Sequence, residues 1–400
     1  MFRFKSFAVV VTIVVAGAAA SLVGSESSPA APLNAHWAIT DLGTLGPAFT
    51  SCTGADINEL GQVVGGCGTA GGNGRAFLSR NGTMTALGTL GELASGAARI
   101  NDRGQIIGTS LTPKPARMHA VLWQNGKIVD LGTLGGRSSN PRAINERGQV
   151  VGESFTASGK VHAFLWQHGR MTDLGTLGGG SSGAVAINER GQVVGSSLTA
   201  SGRTHAFLWQ DGKMTDLGTL GRAYSDSAAV AINDRGQIIG DSFKPKVTRT
   251  GQHGHAFLWQ NGRMNDLGNP GRAYSGSSAV AINERGQIVG TSATGDGGIG
   301  KRHLVVWRNG KITDLGTLGG GFYEAVAINE RGQVIGNSVP AGSSVVHGFL
   351  WQNGRITDLG TLGGAESDAS SINERDQIVG VSNTAKGMRH AVLWTLQRQT

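Results

Sequence analysis

The chain repeats one stretch of sequence eight times, and this internal period limits its fold more than any other feature does. The clearest copy, AVAINERGQVVGSSLTASGRTHAFLWQDGKMTDLGTLG, lies at 184–221. Successive copies are about 44 residues apart, and periods of about 20 to 50 residues are typical of solenoids, propellers and related arrays. The Asp-Leu-Gly element marks the copies at Asp41, Asp130, Asp173, Asp216, Asp266, Asp314 and Asp358, with Ala86 once in the place of the aspartate.

Each repeat contains four short strand signals. AVAI is followed by Asn-Glu-Arg-Gly, and asparagine first with glycine fourth is typical of a type I turn. The β-branched QVVG comes next; after a variable loop, the apolar HAFLW leads into Asn-Gly or Asp-Gly, a strong hairpin signal. The strand KMTDLG ends the unit. Because no segment has a long helical period, the sequence predicts four-stranded antiparallel blades.

The two ends of the repeat array predict a closed ring. The segment at 36–43 is a fourth strand without a third strand before it, and the segment at 390–394 is a third strand without a fourth after it. Joined, they complete one blade and leave no open sheet edge. We therefore predict an all-β, eight-bladed β-propeller of four-stranded blades at 36–394, followed by a tail at 395–400. An eight-repeat stack of another kind is the alternative.

The first residues are typical of a secretory signal. Arg3 and Lys5 precede an apolar stretch that ends at Ala20, so we predict a signal peptide at 1–20 and a flexible leader at 21–35. The alternative is an uncleaved anchor, because residues 6–24 are uncharged. The sequence therefore predicts an extracellular or periplasmic protein, without stable membrane insertion once the signal is removed.

The two cysteines, Cys52 and Cys67, fit an oxidising compartment. They lie almost symmetrically about the turn at 58–61, where an unbulged hairpin places them opposite each other. A glycine bulge at Gly61 would shift that pairing by one residue and strain the bond. We predict a disulfide, and two free buried thiols are the alternative.

The repeated motifs HAFLW, INERGQVVG and TDLGTLGG together resemble the HAF-type extracellular repeat family. The resemblance covers nearly the whole chain after residue 35. It implies a secreted bacterial protein of propeller type. It implies no assigned chemistry, so no catalytic residue is carried over from it.

A histidine opens the third strand of most repeats and a tryptophan closes it. A metal ring is disfavoured, because a zinc ion holds its ligands within about 2.3 Å and equivalent blade positions lie too far apart. The first repeat has Arg75, Ser79 and Ala86 in place of His, Trp and Asp, and this joint loss predicts a structural His–Asp hydrogen bond packed near the tryptophan. The cysteine pair of that repeat is then a covalent replacement. The predicted structural residues are His119, His162, His205, His255, His303, His347 and His390, with Trp123, Trp166, Trp209, Trp259, Trp307, Trp351 and Trp394.

Acid–arginine pairs such as Glu146-Arg147 and Glu189-Arg190 recur in the first turns of the repeats. Because their charges alternate and exposed ion pairs contribute little to stability, we interpret them as a solvated ring without further role.

One face of the predicted propeller concentrates positive charge and aromatic rings. The second-to-third loops and the blade-to-blade loops share this face, and all 3 tyrosines fall in the latter. Arginine and tyrosine suit a carboxylate, sulfate or phosphate group, so we predict a site for an acidic polysaccharide or an extracellular protein. Solubilising charges and loop-packing tyrosines are the alternative. The predicted ligand-binding residues are Tyr224, Tyr274, Phe322, Tyr323, Arg222, Arg272, Lys244, Lys246, Arg249, Lys301 and Arg302.

These features favour a secreted, non-catalytic binding scaffold. A glycan-active hydrolase or lyase is the alternative, and a structural matrix or coat protein is a further one. No nucleophile elbow, phosphate-binding loop or zinc signature occurs, so the sequence predicts no metal, no cofactor and no nucleic-acid partner. An enzyme would need converging carboxylates on the loop face. The candidates are Glu92, Glu153, Asp226, Asp241, Asp296, Glu324, Glu366 and Asp368.

Overall fold

The computed structural model describes residues 36–91, 93–245, 254–269, 276–293 and 302–397. These residues form 32 strands in eight antiparallel blades of four; six blades are separate sheets, and a parallel bridge between Ser51 and Arg389 joins the first and eighth blades into one eight-stranded sheet. The predicted signal peptide and leader, together with residues 398–400, lie outside the described residues. Among the described residues, no helix is long and apolar enough to cross a membrane.

The blades follow one another along the chain. The first blade contains β2 (Phe49–Ile57), β3 (Val63–Thr69), β4 (Gly74–Arg80) and β5 (Thr83–Ala86); the second contains β6 (Ser95–Ile100), β7 (Ile106–Leu111), β8 (Met118–Gln124) and β9 (Lys127–Asp130). The third contains β10 (Gly135–Ile144), β11 (Val150–Thr156), β12 (Val161–Gln167) and β13 (Arg170–Asp173); the fourth contains β14 (Gly178–Ile187), β15 (Val193–Thr199), β16 (Thr204–Gln210) and β17 (Lys213–Asp216). The fifth contains β18 (Asp226–Ile232), β19 (Ile238–Phe243), β20 (Gly254–Gln260) and β21 (Arg263–Asp266); the sixth contains β22 (Ser277–Ile282), β23 (Ile288–Ala293), β24 (Arg302–Arg308) and β25 (Lys311–Gly316). The seventh contains β26 (Gly319–Ile328), β27 (Val334–Pro340), β28 (His347–Gln352) and β29 (Arg355–Asp358); the eighth contains β30 (Gly363–Ile372), β31 (Gln377–Thr384), β32 (Arg389–Gln397) and β1 (His36–Gly43).

The ring closes through the first strand of the chain, as predicted. β1 pairs antiparallel with β32, and Ile39 lies opposite Trp394. The first strand of every blade contacts the first strands of both neighbours, in one unbroken circuit from β2 through β30 and back to β2. The first strands therefore surround the central axis, and the short fourth strands lie at the rim. The predicted eight-bladed propeller is confirmed.

A large ring from the third strand of each blade fills the space between blades, and two kinds of ring are used. In five blades a fully buried phenylalanine does so: Phe77, Phe164, Phe207, Phe257 and Phe349. In the other three a valine stands there, and the tryptophan two residues later turns inward: Trp123, Trp307 and Trp394 are 0–4% exposed. A Cβ atom at Gly240 would lie 2.7 Å from the Phe257 ring, and one at Gly290 would lie 2.9 Å from the Trp307 ring. The recurrent glycine of the second strand therefore makes room for whichever ring is used.

The disulfide between Cys52 and Cys67 is present, and two bulges explain why its register works. The turn with Gly61 at φ +74° pairs Ile57 with Val63, which shifts the hairpin by one residue, as a glycine bulge does. A second irregularity between Gly54 and Asp56 shifts it back, so Cys52 lies directly opposite Cys67. The predicted disulfide is confirmed, and it indicates a compartment other than the cytoplasm.

Candidate functional site

Seven blades carry a hydrogen bond between the predicted histidine and aspartate. In the fourth blade His205 Nδ1 lies 2.8 Å from Asp216 Oδ2, and Asp216 Oδ1 also accepts from the Gly218 amide. The third strand thereby holds the end of the fourth strand. The other pairs are His119–Asp130, His162–Asp173, His255–Asp266, His303–Asp314, His347–Asp358 and His390–Asp41, the last of which crosses the ring closure.

Two details differ from the prediction. Within a blade the tryptophan closes the third strand at the opposite end from the histidine, and a tryptophan approaches the His–Asp bond from the next blade instead: Trp307 donates to the carbonyl of Gly268, whose amide donates to Asp266. The disulfide joins the two inner strands of the first blade, whereas the missing His–Asp bond would have joined the two outer ones. The cysteine pair therefore does not replace that bond. The Arg75 guanidinium, in the histidine position, instead donates to the carbonyl of Leu93.

Asparagines of the first turns form a closed ring of hydrogen bonds around the axis. Each Nδ2 donates to the backbone carbonyl of the next asparagine at 3.0–3.2 Å, and Asn373 closes the circle onto Asn58. All of these side chains are buried, at 0–4% exposure. The members of this asparagine ring are Asn58, Asn101, Asn145, Asn188, Asn233, Asn283, Asn329 and Asn373.

The acidic residues that follow form a second ring, which the sequence-based interpretation of a solvated ring missed. Each carboxylate accepts from the backbone amide of the preceding member at 2.6–2.9 Å. Burial raises the pKa of Glu146, and the charges of Asp102 and Glu189 raise it further. The members of this carboxylate ring are Glu59, Asp102, Glu146, Glu189, Asp234, Glu284, Glu330 and Glu374.

The last blades carry extra polar bonds. Asp376 replaces the turn glycine at φ 59°, and its carboxylate receives two hydrogen bonds from Arg331 and one from Gln333 of the seventh blade. On the other side of the closure, Asp56 accepts from Ser371 of the eighth blade and from the Ile100 amide of the second. The sector in which the ring closes is thus tied by side chains as well as by strand pairing.

The structure brings together only part of the predicted ligand-binding set. The Lys244 ammonium lies 5.5 Å from the centre of the Tyr224 ring, and Tyr224 meets the edge of His255 with 5.6 Å between ring centres. Arg222 is exposed in the same loop as Tyr224. Tyr274, Arg272, Lys246, Arg249 and Lys301 lie outside the described residues, and the side chains of Arg302, Phe322 and Tyr323 do too.

A second group on the loop face unites three of the candidate carboxylates. Glu324 of β26 and Asp368 of β30 lie within electrostatic reach of each other, and so do Asp368 and Glu366; this acidic cluster is Glu324, Glu366 and Asp368. Glu324 and Glu366 are exposed and Asp368 is half-buried. Partial desolvation raises the pKa of Glu324 and of Asp368, and a neighbouring carboxylate raises each pKa further. Arg389 Nη2 lies 3.4 Å from Asp368 Oδ2.

The remaining candidate carboxylates have other partners. Glu153 pairs with Arg142 at 2.8 Å, and Asp241 accepts from the Ala279 amide and the Ser278 hydroxyl of the next blade. Asp226 accepts from the Thr204 amide at 2.9 Å. Glu92 and Asp296 lie outside the described residues. Within the described residues no group of three or more His, Cys, Asp or Glu side chains could hold a metal ion.

Comparison with known proteins shows the fold alone. No family model matches the chain, and no curated protein matches it. Dipeptidyl peptidase 4 of Porphyromonas gingivalis is similar with a TM-score of 0.55 and 10% identity, over 88% of this chain and 58% of that chain. The propeller domain of the Trilobed protease of Pyrococcus furiosus is similar with a TM-score of 0.50 and 13% identity, over 78% of this chain and 96% of that chain.

These similarities contradict the predicted non-catalytic binding scaffold. Both of those proteins are peptidases, and a peptidase is closer to the glycan-active hydrolase alternative than to a non-catalytic scaffold. The error has a physical cause: residues that recur in every repeat serve folding, and those were the strongest signals in the sequence. Carboxylates that occur in single blades, such as Glu324 and Asp368, carry no motif around them.

Proposed function

We propose that this propeller is the substrate-handling part of a peptide hydrolase, and that the acidic cluster holds the positively charged group of a peptide. The resemblance to two peptidase structures supports the class of reaction. The acidic cluster supports the place on the molecule, because Glu324 and Asp368 lie midway along the inner strands of two adjacent blades, around the central axis.

The observation that carries this proposal is the mutual electrostatic effect of Glu324, Asp368 and Glu366, beside which the described part of the chain places the Arg389 guanidinium. Like charges that are partly desolvated oppose each other's ionisation, which is why the pKa values of Glu324 and Asp368 are raised. A bound ammonium group would relieve this repulsion, because it is positively charged and donates hydrogen bonds to carboxylates, which only accept them. A free amino terminus or a lysine side chain of a peptide provides such a group.

The test is peptide binding by the full chain, measured calorimetrically at pH 7.5. We expect a tripeptide amide with a free amino terminus to bind about tenfold more tightly than its acetylated counterpart. Glu324→Gln combined with Asp368→Asn should remove that difference. Glu153→Gln is the matched control on the same face, because Glu153 already pairs with Arg142.

The pH dependence provides a second measurement on the same site. Because the two pKa values are raised, the cluster loses its charge at a higher pH than an ordinary carboxyl does as the solution is acidified. On acidification, binding of the free-amine peptide should therefore weaken at a higher pH than it would at carboxyl groups with ordinary pKa values. Equal binding of the two peptides, or an unchanged difference in the double variant, would contradict the proposal.

A second candidate is that the same carboxyl groups cleave glycosidic bonds. Glycosidases use one protonated and one ionised carboxyl group, and neighbouring carboxyls with raised pKa values are suited to those roles. Release of reducing ends from bacterial polysaccharides by the native chain, abolished by Glu324→Gln, would support this candidate. Release that persists in that variant, or none from the native chain, would exclude it.

We also propose that the chain is a secreted member of the HAF-type repeat family. The eightfold recurrence of its motifs and the disulfide support this proposal. Fractionation of producing cells, with mass spectrometry of the amino terminus, tests it: a mature chain beginning near residue 21 outside the cytoplasm is expected. A chain retained in the cytoplasm with its first residues intact would contradict it.

A further inference from the structure

In the fifth blade an aromatic ring lies against the histidine of the His–Asp pair. Tyr224, from the loop between the fourth and fifth blades, contacts the edge of His255. The loop between the fourth and fifth blades reaches His255 because the sequence GRAYSDS makes it two residues longer than the loop between the third and fourth blades.

Backbone bonds hold this loop in place. The Tyr224 amide donates to the Gly221 carbonyl, and the Ser225 amide donates to Phe243 at the end of β19. Asp226 then accepts from Thr204 of the preceding blade. Tyr224 is therefore fixed before any ligand arrives, which lowers the ordering cost of binding.

The charges around Tyr224 are arranged for an anion. The Lys244 ammonium lies over the ring, 5.5 Å from its centre, and Lys244 and Arg222 are both exposed. Two carboxylates lie close by, and both already have partners: Asp266 accepts from His255 and the Gly268 amide, and Asp226 accepts from the Thr204 amide and the Ser225 hydroxyl. Burial raises the pKa of Tyr224 and Asp266 adds to that effect, so the phenol keeps its proton and can donate it in a hydrogen bond.

We propose that Tyr224, Lys244 and Arg222 form a binding site for the side-chain carboxylates of acidic peptides. The site rests on the proposed function for its ligand class, and it lies on a different blade from the acidic cluster. Lys244 supplies the charge, the Tyr224 hydroxyl supplies a hydrogen-bond donor, and the ring supplies an apolar face for the methylene groups of a glutamate. Such a site would select peptides with acidic residues.

The probe is an acetylated, amidated hexapeptide of alternating glutamate and alanine, compared with its glutamine counterpart. Both lack a free amine, so this binding is independent of the acidic cluster and distinguishes failure of this site from failure of the proposed function. We expect the full chain to bind the glutamate peptide about tenfold more tightly at low salt. Lys244→Gln and Tyr224→Ala should each remove most of that preference, and Tyr224→Phe should remove about a third of it on a logarithmic scale.

The matched control is Lys160→Gln, which changes an exposed lysine of the same loop in the third blade, where the structure shows no ring on His162. Unchanged binding in this control supports a specific site. An equal loss in Lys160→Gln and Lys244→Gln, or equal binding of the glutamate and glutamine peptides, would overturn the proposal. Binding of a galacturonate oligomer in place of the glutamate peptide would overturn the assignment to peptides.

Discussion

The first blade and the other seven are held together at different places. In the seven, the His–Asp bond joins the third strand to the end of the fourth, near the rim. In the first blade a disulfide joins the first strand to the second, beside the axis. The two devices secure opposite halves of a blade, so the loss of one is not repaired by the other. In the first blade the outer strand β5 relies on its backbone ladder and on the Thr85 hydroxyl, which donates to Leu78.

The largest effect is expected from breaking the disulfide. Cys52→Ala with Cys67→Ala should lower the free energy of unfolding by about 3 kcal/mol, because the bond closes a loop of about 15 residues in the unfolded chain. Denaturant unfolding with and without reductant measures it. A loss below about 1 kcal/mol in the double variant would show that the inner strands of the first blade hold without the bond.

The second effect is expected from one His–Asp pair. His205→Ala and Asp216→Ala should each lower the free energy of unfolding by about 1 kcal/mol, because each removes the hydrogen bond that holds the end of the fourth strand, at a site where His205 is half-buried and Asp216 is exposed. The double variant should lose less than the sum of the two. A double-mutant cycle measures this coupling, and simple additivity would show that the pair does not act as a unit.

A smaller gain is expected from giving the first blade the bond that it lacks. Arg75 and Ala86 occupy the register positions of His205 and Asp216, so Arg75→His with Ala86→Asp should create an eighth pair. We expect a gain below about 1 kcal/mol, because the bond between Arg75 and Leu93 is given up. Crystallography of the double variant shows whether the bond forms. Either single substitution, made alone as a control, should bring no gain.

The smallest effect is expected from the carboxylate ring, to which all eight blades contribute. The pKa of Glu146 is raised in the folded chain, so its contribution to stability is present at low pH and is lost as the pH rises through the folded value. Glu146→Gln should therefore be slightly more stable than the native chain at pH 7, and the difference should vanish below about pH 4. Thermal unfolding across this range measures it. Equal stability of the two chains at pH 7 would show that the raised pKa has no stability cost.

Much of the fold could be predicted because the same pattern of strands and turns recurs in every repeat. The strand order, the closure of residues 36–43 onto 390–394 and the disulfide all follow from local periodicity and from counting. The asparagine ring could not be predicted in this way. Asn188 satisfies the first position of a type I turn, and nothing in its own repeat shows that its side chain bonds to Asn233, 45 residues later.

The candidate sites were harder to predict from the sequence than the fold was. The sequence assigns Tyr224 and Lys244 to variable loops on one face, and the structure brings these two side chains together. The approach of Glu324 to Asp368 depends on two neighbouring blades, and the sequence places these residues 44 positions apart in unlike contexts. A signal did exist: both are acidic where other repeats have small or uncharged residues at the same inner-strand position, such as Gly183 and Ala228.

The asparagine ring has a consequence for the number of blades. Every repeat contributes one amide donor and one carbonyl acceptor to it, and all the bonds run in the same direction around the axis. A gene that gained or lost a whole repeat would still encode a circle in which every donor finds an acceptor. The hydrogen bonds at the axis therefore do not determine the number of blades. We expect the packing of the wedge-shaped blades to determine it.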